Sequence, residues 1–507
     1  MGVKVAVTGA TSDFGAAILP ALLDDPDVDS VVGLGRRQLT ITHPKLEFVR
    51  RDIRASDLVD IFSGCDAVIH LAFVVEEIRD KSITHDINIG GSRNVIDSAY
   101  EAGVSRVVVA SSINAYGPRL REEPLTEDDY PEGDPGRYYF HDKAEVEHYA
   151  EWWLRRHPGE MTISLLRPTY IIGPAFDNDG IDQLTGPVGV FPQADLAKYQ
   201  FLHQNDMVDA FVRAAKTDLV GPFNLGPDGS LGVRELAAMQ GQLMFDVPER
   251  PAVVVANVAF RLGLTPFSGQ WVTAGETEVD STKLKKTLGW EPTLTCKEAA
   301  AVMILLQGKS LLRSEDALRT HASCEAALEP ASRVCGAPSA GIEHLQIDWG
   351  RARSNIEGTA HVELHDGGDG PVVVIVVPVG SHARYHSAFA DEIAAAGIRV
   401  ALVDLPGHGL STGRRGRVDT AQVRRVVDAV TAEMTARFGS VPTVAAIRRD
   451  VPRQGVVDAA RSRITGLRTS APSNPSDRLL PRAVNTPDVV AAHLVERAEE
   501  LIELVRR

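Results

Sequence analysis

Residues 5–15 read VAVTGATSDFG, and this stretch decides the class of fold. A strand-like run, Lys4–Thr8, leads directly into Gly9, and a helical pattern follows Gly15. Gly9 permits a tight turn, and Gly15 lets the helix approach the strand closely. Because backbone N–H groups and the positive end of the helix dipole meet in such a turn, it can hold a pyrophosphate. We predict that the phosphate contacts come from the turn residues Gly9, Thr11, Ser12, Asp13, Phe14 and Gly15.

Ser12 occupies the middle position, where the TGxxGxxG form of this turn has glycine. Its side chain narrows the approach to the phosphates, although its hydroxyl can donate a hydrogen bond in return. A glycine turn alone also occurs in ordinary strand-to-helix connections, so the interpretation needs support from the rest of the chain.

Apolar runs alternate with helical stretches through about residue 170, as in parallel strand–helix–strand units. The predicted strands are Lys4–Thr8, Ser30–Leu34, Leu46–Val49, Ala67–Leu71, Arg106–Ala110 and Ile163–Arg167. We therefore expect an α/β fold with a Rossmann-type doubly wound parallel sheet. Glycine and proline interrupt residues 173–192, as expected for a small substrate lobe inserted among the last elements.

Length and charge limit the classes of partner. The 507 residues carry a formal net charge of −15 at pH 7, and 44% are hydrophobic and 24% charged. This length favours more than one domain. The negative charge repels phosphate backbones and anionic lipid, so we expect neither nucleic acid nor a membrane as a partner.

The cysteines and the N-terminus point to a reducing compartment. The four cysteines form no CxxC pair, so we expect neither a disulfide framework nor a metal site. The N-terminus lacks the zones of a secretory signal, and the longest apolar run, Val372–Val377, is too short to cross a bilayer. These features predict a cytoplasmic protein.

Arg36 and Arg37 stand at the end of the second predicted strand, where an acidic residue would bind the ribose hydroxyls of NAD. Guanidinium groups match a 2′-phosphate by bidentate contact, so we predict NADP, with NAD as the other candidate. The alternative is a pair of solvated surface arginines. Further cofactor contacts are expected from residues that follow the third and fourth strands, namely Asp52, Ile53, Leu71, Ala72 and Phe73.

A serine and a tyrosine–lysine pair follow the fifth strand. Ser112 ends that strand, and Tyr139 and Lys143 are four residues apart, so on a helix they would share a face. A free tyrosine has a pKa near ~10, and a cation within about 4–6 Å lowers it. Lys143 would therefore make Tyr139 a usable acid/base at neutral pH. Taken alone, YxxxK is common, and a surface pair is the alternative.

The order of eight short motifs resembles the extended short-chain dehydrogenase/reductase family, which includes NAD(P)-dependent epimerases and dehydratases. The motifs are TGATSDFG (8–15), NIGGSRN (88–94), SSINAYG (111–117), YFHDK (139–143), RPTYIIGP (167–174), FLHQNDMVDA (201–210), FNLG (223–226) and LGWEP (288–292). The resemblance covers residues 1–308.

The resemblance implies a role for each matching residue. Tyr139 would be the general acid/base on the substrate oxygen, Lys143 would also hold the nicotinamide ribose, and Ser112 would hydrogen-bond the carbonyl. It also implies that four more residues lie beside the cofactor: Asn88, Ser111, Pro168 and Tyr170.

The activity implied is hydride transfer at a carbonyl/alcohol centre, by an NAD(P)-dependent oxidoreductase or a nucleotide-sugar epimerase or dehydratase. An epimerase or dehydratase re-uses the hydride within one cycle, whereas a reductase releases changed cofactor, and the residues do not separate the two. An NADP-binding sensor or scaffold without turnover is the alternative from another class. By analogy with family members that dimerise through helices, a homodimer through the helix containing Tyr139–Leu154 is a further expectation.

A second alternation of predicted strands and helices appears towards the C-terminus. Val372–Val377 and Val400–Val403 are predicted strands, with a helix at Ser387–Ala396 between them. PVGSH (378–382) and DLPGHGLS (404–411) resemble the first half of an α/β-hydrolase over residues 344–440. GLSTG (409–413) fits GxSxG, but it lies in a loop rather than at a strand-to-helix elbow, so we interpret it as a false match.

The nucleophile elbow of a hydrolase should follow residue 444, yet residues 445–449 read AAIRR, without a nucleophile. A partial, non-catalytic α/β-hydrolase-like module is therefore predicted, and a working hydrolase is the weaker alternative. The patterns together predict a dehydrogenase/reductase domain at 1–308, with its substrate lobe mainly from 170–200 and 227–308. A linker at 309–343 and the second module at 344–507 follow, and the module ends in a helix at Pro487–Arg507.

Overall fold

The computed structural model describes residues 2–446 and 492–493, except 40, 76, 79, 119–122, 177–178, 187, 193–196, 263–267, 273–277, 308–327, 335–341, 351–357, 378–381 and 413–419. The chain divides into two compact units. The N-terminal unit comprises Met1–Asp179, Val190–Leu236 and Met244–Ala299, and the C-terminal unit comprises Gly180–Gly189, Ala237–Leu243 and Ala300–Arg507. Residues of the expected substrate lobe thus occur in both units, and the predicted boundaries at 308 and 343 stay predictions.

The strands, in chain order, are β1 (Val3–Thr8), β2 (Val28–Gly35), β3 (Leu46–Arg50), β4 (Ala67–His70), β5 (Arg106–Ala110), β6 (Thr162–Pro168), β7 (Tyr170–Ile172), β8 (Val188–Phe191), β9 (Lys198–Tyr199), β10 (Phe201–His203), β11 (Gly221–Leu225), β12 (Leu231–Gly232), β13 (Leu243–Asp246), β14 (Ile342–Asp348), β15 (Thr359–His365), β16 (Val372–Val376), β17 (Arg399–Val403), β18 (Thr443–Ala446) and β19 (Ala492–His493). The helices are α1 (Asp13–Asp24), α2 (Leu58–Phe62), α3 (Lys81–His85), α4 (Gly91–Glu101), α5 (Tyr138–Arg156), α6 (Asp179–Thr185), α7 (Gln204–Lys216), α8 (Val233–Gln240), α9 (Glu249–Arg261), α10 (Gly269–Val272), α11 (Thr282–Leu288), α12 (Cys296–Gln307), α13 (328–334), α14 (Ser387–Ala395) and α15 (Thr420–Phe438).

A seven-stranded parallel sheet forms the centre of the N-terminal unit, in the order β11-β6-β5-β4-β1-β2-β3. Side chains alternate between its two faces, because the period of a strand is two residues. Val5 and Val7 pack on one face with α1 and α7, whereas Ala6 packs on the other with α2, α4 and α5. The sheet is therefore doubly wound, as predicted, and its strand order reverses between β1 and β4, where such sheets bind their ligands.

The C-terminal unit contains a six-stranded sheet in the order β14-β15-β17-β16-β18-β19. β14 and β15 are antiparallel to their neighbours in the sheet, and the pairs from β17 to β19 are parallel. Val373 and Ile375 pack on one face and Val372 and Val374 on the other, so this sheet also has two covered faces. This confirms a second α/β module.

The predicted strands agree with the structure to within two residues at each end. The helix predicted at Pro487–Arg507 is wrong at Ala492–His493, which form a short strand because they pair with β18; the remainder of that segment lies outside the described residues. Within the described part of the chain, no helix has the length and apolar character needed to span a bilayer. Cys65 and Cys296 are buried free thiols, and Cys324 and Cys335 lie outside the described residues.

Candidate active site

The turn between β1 and α1 has the geometry predicted for phosphate binding. Gly9 has φ +72°, and a Cβ there would lie 2.6 Å from the amide nitrogen of Ala72, so only glycine lets the turn pass the end of β4. Ser12 caps α1, since its Oγ accepts a hydrogen bond from the Gly15 amide at 3.1 Å. The ring of Phe14 packs edge-on against Phe176 and Phe211, which leaves only the backbone of Phe14 for a phosphate.

The strand-end arginines extend beyond β2 at the same edge of the sheet. The Arg37 guanidinium donates to the carbonyl of Thr11 at 2.6 Å, which joins this strand end to the glycine turn. The carboxylate of Asp52 accepts two hydrogen bonds of 2.9 Å from Arg54, and these bonds lower the pKa of Asp52. Ile53 is buried, so the two cofactor contacts predicted after β3 differ: the Asp52 carboxylate is bonded to Arg54, and Ile53 is an apolar side chain.

A chain of buried hydrogen bonds joins β1 and β4 at the place where the strand order of the sheet reverses. His70 ends β4, its Nδ1 lies 2.7 Å from Thr8 Oγ1, and its Nε2 lies 2.8 Å from Ser92 Oγ. Because Ser92 donates its proton to the carbonyl of Asn88, His70 Nε2 must carry hydrogen and Nδ1 must accept. Burial lowers the pKa of His70 to about 3, which keeps this neutral form. His70 was not among the predicted site residues, although its place at a strand end was a usable signal.

The two serines that follow β5 have different partners. The Ser111 hydroxyl donates to Glu147, so its predicted cofactor contact is left to the backbone. Ser112 Oγ accepts from the amide of Asn114 at 3.2 Å, which leaves its proton to be donated to a substrate carbonyl. Glu147 itself forms a buried ion pair with Arg167, with a Nε to Oε1 distance of 2.9 Å.

The segment before α5 lies beside the turn that Ser112 begins. Ser112 caps a 3-10 turn, Ile113–Tyr116, and α5 packs against that turn. Gly117 has φ +85°, and a Cβ there would lie 2.4 Å from the carbonyl oxygen of Gly133. The glycine of the SSINAYG motif therefore permits the close approach of the chain that leads into Tyr139.

Tyr139 and Lys143 lie together on α5, as their spacing predicts. The Lys143 ammonium is 5.7 Å from the centre of the Tyr139 ring and 3.7 Å from the centre of the Phe73 ring. It also donates to the carbonyl of Ala110 at 2.6 Å. Burial lowers the pKa of Lys143 to about 7, and the charges of Glu147 and Asp142 oppose that shift.

Aromatic rings surround the phenol of Tyr139. The Phe73 ring meets it edge-on at 5.6 Å between centres, and Trp271 of α10 lies 5.8 Å away. The sequence carried no signal for Trp271, because it is 132 positions from Tyr139. The tyrosine is thus held by rings from the end of β4 and from the lobe.

Three further predicted cofactor contacts are engaged in other parts of the fold. Both N–H groups of the Asn88 side chain are used, by the Val74 carbonyl and by Asp142, so Asn88 positions a loop rather than donating to the cofactor. Tyr170 packs against Tyr199 and Phe201. Pro168 ends β6 and pairs with Leu225 of β11.

A cavity of about 680 Å³ opens near the start of α5 in the N-terminal unit. Tyr138, next to the predicted acid/base, lines it together with Lys81, Arg137, Phe260 and Ser268. Its wall combines cationic, acidic, aromatic and small polar groups, including Glu77 and Asp134, and Tyr138 is the neighbour of Tyr139 in the sequence. None of these lining residues was among the predicted site residues.

In the C-terminal unit, Ser411 is a structural group. Its hydroxyl donates to the carbonyl of Asp404 at 2.7 Å and accepts from the amide of His361 at 2.9 Å. Asp404 in turn accepts from the ring of His361 at 2.8 Å and from the amide of Ala383 at 2.7 Å. Ser411 therefore holds the loop in place. Residues 378–381 of the PVGSH segment and residues 447–449 of the expected elbow position lie outside the described residues.

The sheet order, the glycine turn at its switch point and the tyrosine–lysine pair define a dinucleotide-binding enzyme domain of the short-chain dehydrogenase/reductase type. Residues 5–226 match the NAD dependent epimerase/dehydratase family, and residues 370–445 match the serine aminopeptidase S33 family. The match over residues 5–226 agrees with the resemblance of the N-terminal part of the chain to this family.

Relatives cover the same part of the chain. An uncharacterized protein of Mycobacterium tuberculosis is 26% identical over 310 residues, which are 58% of this chain and 81% of that protein. UDP-glucuronic acid decarboxylase 6 of Arabidopsis thaliana is 25% identical over 321 residues, which are 59% of this chain and 87% of that enzyme. The solved structure of MoeE5 in complex with UDP-glucuronic acid and NAD is 25% identical, with a TM-score of 0.47, and covers 59% of this chain and 96% of the other.

Proposed function

We propose that the N-terminal unit binds NAD(P) and transfers hydride at a carbonyl/alcohol carbon of a nucleotide sugar. The observation that carries this proposal is the buried Lys143 ammonium, 5.7 Å from the Tyr139 ring at the carboxyl edge of the sheet. A cation beside a phenol stabilises the phenolate, which is the form that removes a proton from a substrate hydroxyl.

Each residue has a distinct task in this reaction. Tyr139 would take the proton of the substrate hydroxyl and return it in the reverse step, and a bound nicotinamide would accept and return the hydride of the same carbon. Ser112 would donate its hydroxyl proton to the substrate oxygen, and Lys143 would hold the nicotinamide ribose and favour the phenolate of Tyr139. The polar cavity beside Tyr138 suits the remainder of a sugar nucleotide, and the decarboxylase relative acts on such a substrate by name.

NADP is the proposed cofactor, on the strength of Arg36 and Arg37 at the end of β2. Since Arg37 already donates to Thr11, its guanidinium lies at the edge of the phosphate turn, and Arg36 supplies a second charge. Arg36→Asp should raise the dissociation constant of NADP at least ~10-fold and leave that of NAD within about 3-fold, because only NADP has a 2′-phosphate to lose. Arg51→Gln, an exposed residue paired with Asp57, is the control, and equal effects on both cofactors would remove the claim.

The decisive experiment incubates the full-length protein with either cofactor and with UDP-glucuronic acid or UDP-glucose, and follows products by NMR. Tyr139→Phe should lower turnover at least ~100-fold without weakening cofactor binding, because it removes only the acid/base hydroxyl. Tyr100→Phe, on the surface of α4, should retain activity. An active Tyr139→Phe protein would contradict the assignment. Reduced nicotinamide that accumulates during turnover would indicate a dehydrogenase, and its absence would indicate an epimerase or dehydratase.

A non-catalytic NADP sensor is the second candidate, and Ser12 favours it because a side chain stands at the middle of the phosphate turn. Cofactor binding without turnover of any sugar nucleotide would support this candidate.

A homodimer through α5 is also proposed, since Trp152 of this helix is a large apolar residue that is 48% exposed.

A further inference from the structure

Asp142, the residue before Lys143 in the YFHDK motif, is a completely buried acid in the catalytic helix. Its Oδ2 accepts a hydrogen bond of 2.9 Å from the side-chain amide of Asn88, and its Oδ1 accepts one from Nδ1 of His85. A buried carboxylate is costly unless such partners satisfy it. Both carboxylate oxygens of Asp142 therefore have hydrogen-bond partners, although the YxxxK pattern places no requirement on this position.

Through Asn88, Asp142 holds the loop that follows β4. Asn88 Oδ1 accepts from the amide of Val74 at 2.7 Å, and its Nδ2 donates to the Val74 carbonyl at 3.2 Å. A side-chain amide that bonds both groups of one residue fixes that residue in position and orientation. The Tyr138 hydroxyl adds a second link, since it donates to the carbonyl of Val75.

The residue before Val74 is Phe73, whose ring contacts both reactive groups. Its centre lies 3.7 Å from the Lys143 ammonium and 5.6 Å from the centre of the Tyr139 ring. A cation so close to an aromatic face is attracted by the ring, so the ring helps to place the ammonium. If the loop shifts, Phe73 shifts, and the distance from Lys143 to the phenol changes with it.

We propose that Asp142 is a positioning residue for the reaction: it fastens α5 to the loop at residues 73–75 through Asn88 and so sets the place of Lys143 beside Tyr139. Asp142 does not touch the reacting atoms. Its effect on turnover rests on the proposed function, whereas its effect on Tyr139 does not.

The test compares Asp142→Ala and Asp142→Asn with Asp97→Asn in the full-length protein. Asp97 is the matched control, because it links α5 to α4 by accepting a 2.6 Å hydrogen bond from Tyr149, whereas Asp142 links α5 to Asn88, which precedes α4 and holds the loop. Asp142→Ala should lower kcat about 10- to 100-fold, the loss expected from misplacing a reacting group by ~1 Å, with KM changed less than about 3-fold. Asp142→Asn keeps one acceptor oxygen for Asn88 and should lose less.

A second readout does not require turnover. The ultraviolet difference absorbance of the phenolate, taken against the same variant carrying Tyr139→Phe, gives the pKa of Tyr139. In Asp142→Ala this pKa should shift from its value in the unaltered protein, because Lys143 and Phe73 no longer keep their places beside the phenol. Asp97→Asn should leave kcat and the Tyr139 titration unchanged.

An unchanged Tyr139 titration in Asp142→Ala would overturn the proposal, as would an equal loss of kcat in Asp97→Asn. If the unaltered protein turns over no sugar nucleotide, the proposed function fails, and the phenolate measurement still decides the role of Asp142.

Discussion

At the scale of single residues, Lys143 determines what Tyr139 can do. It is an ionisable group buried at the end of β5, where desolvation opposes its charge and two carboxylates support it. A lysine with a pKa near neutrality can change its charge when a cofactor or substrate arrives. This property belongs to the folded chain, because a lysine in water stays protonated.

The lowered pKa of Lys143 predicts a pH-dependent stability of the protein without cofactor. The folded-state pKa is about 7 and the free side chain has 10.5, so between these values the unfolded chain binds more protons than the folded one. The free energy of unfolding should therefore rise with pH in this window, by on the order of 2 kcal/mol between about pH 7 and pH 9.

Urea unfolding of the unaltered protein and of Lys143→Met at both pH values measures this contribution. The rise should be smaller in Lys143→Met by the predicted amount, because methionine has no proton to exchange. Lys198→Met, which changes an exposed lysine of the same unit, should behave like the unaltered protein. The same rise in Lys143→Met would show that another group causes it.

At the scale of elements, the start of α1 serves both the helix and the phosphate turn. Ser12 satisfies the Gly15 amide, one of the donors left open at a helix N-terminus. That amide also belongs to the turn that would face a pyrophosphate. Capping the helix and binding the cofactor therefore compete for the same small space.

Two substitutions at Ser12 separate these roles. Ser12→Ala should lower the free energy of unfolding by about 1 kcal/mol, because the cap is lost, whereas Ser12→Gly should cost only a few tenths of a kcal/mol. Ser12→Gly should also bind NADP more tightly, because it opens the approach to the backbone. Denaturant unfolding and titration calorimetry provide the two measurements; weaker binding in Ser12→Gly would mean that the hydroxyl contacts the phosphate.

At the scale of the whole molecule, the C-terminal unit has its own buried polar core. Glu363 and Arg384 form an ion pair with both Nε to Oε distances at 3.0 Å, and neither side chain is more than 2% exposed. Arg384 also donates to Ser332 and His344, so each of its three guanidinium nitrogens has a hydrogen-bond partner. Such a pair is strongly destabilising when one member is removed.

Glu363→Gln should lower the free energy of unfolding of the C-terminal unit by about 3–5 kcal/mol, because it leaves the arginine charge buried without its partner. Glu343→Gln breaks the exposed pair with Arg437 in the same unit and should cost less than about 1 kcal/mol. Scanning calorimetry should show one transition moving and the other unchanged. Movement of both transitions by Glu363→Gln would contradict the division into two units.

The central strands were predictable because buried parallel strands are continuous apolar runs, which a sequence displays directly. Tyr139 and Lys143 were predictable because residues four apart on a helix share a face. The short strands of the lobe, β7 to β10, were not predicted, because segments of two to four residues carry no measurable period.

The strands of the central sheet, the glycine turn and the tyrosine–lysine pair could be located from the residues alone, since each depends on neighbours within a few positions. Which groups surround that pair followed from the folded chain. Asn88 and Asp142 are 54 positions apart, and Thr8 and His70 are 62 apart, and they meet because the sheet places β4 between β1 and β5. Hydrogen bonds of this kind depend on strand order and burial, which local periodicity does not encode.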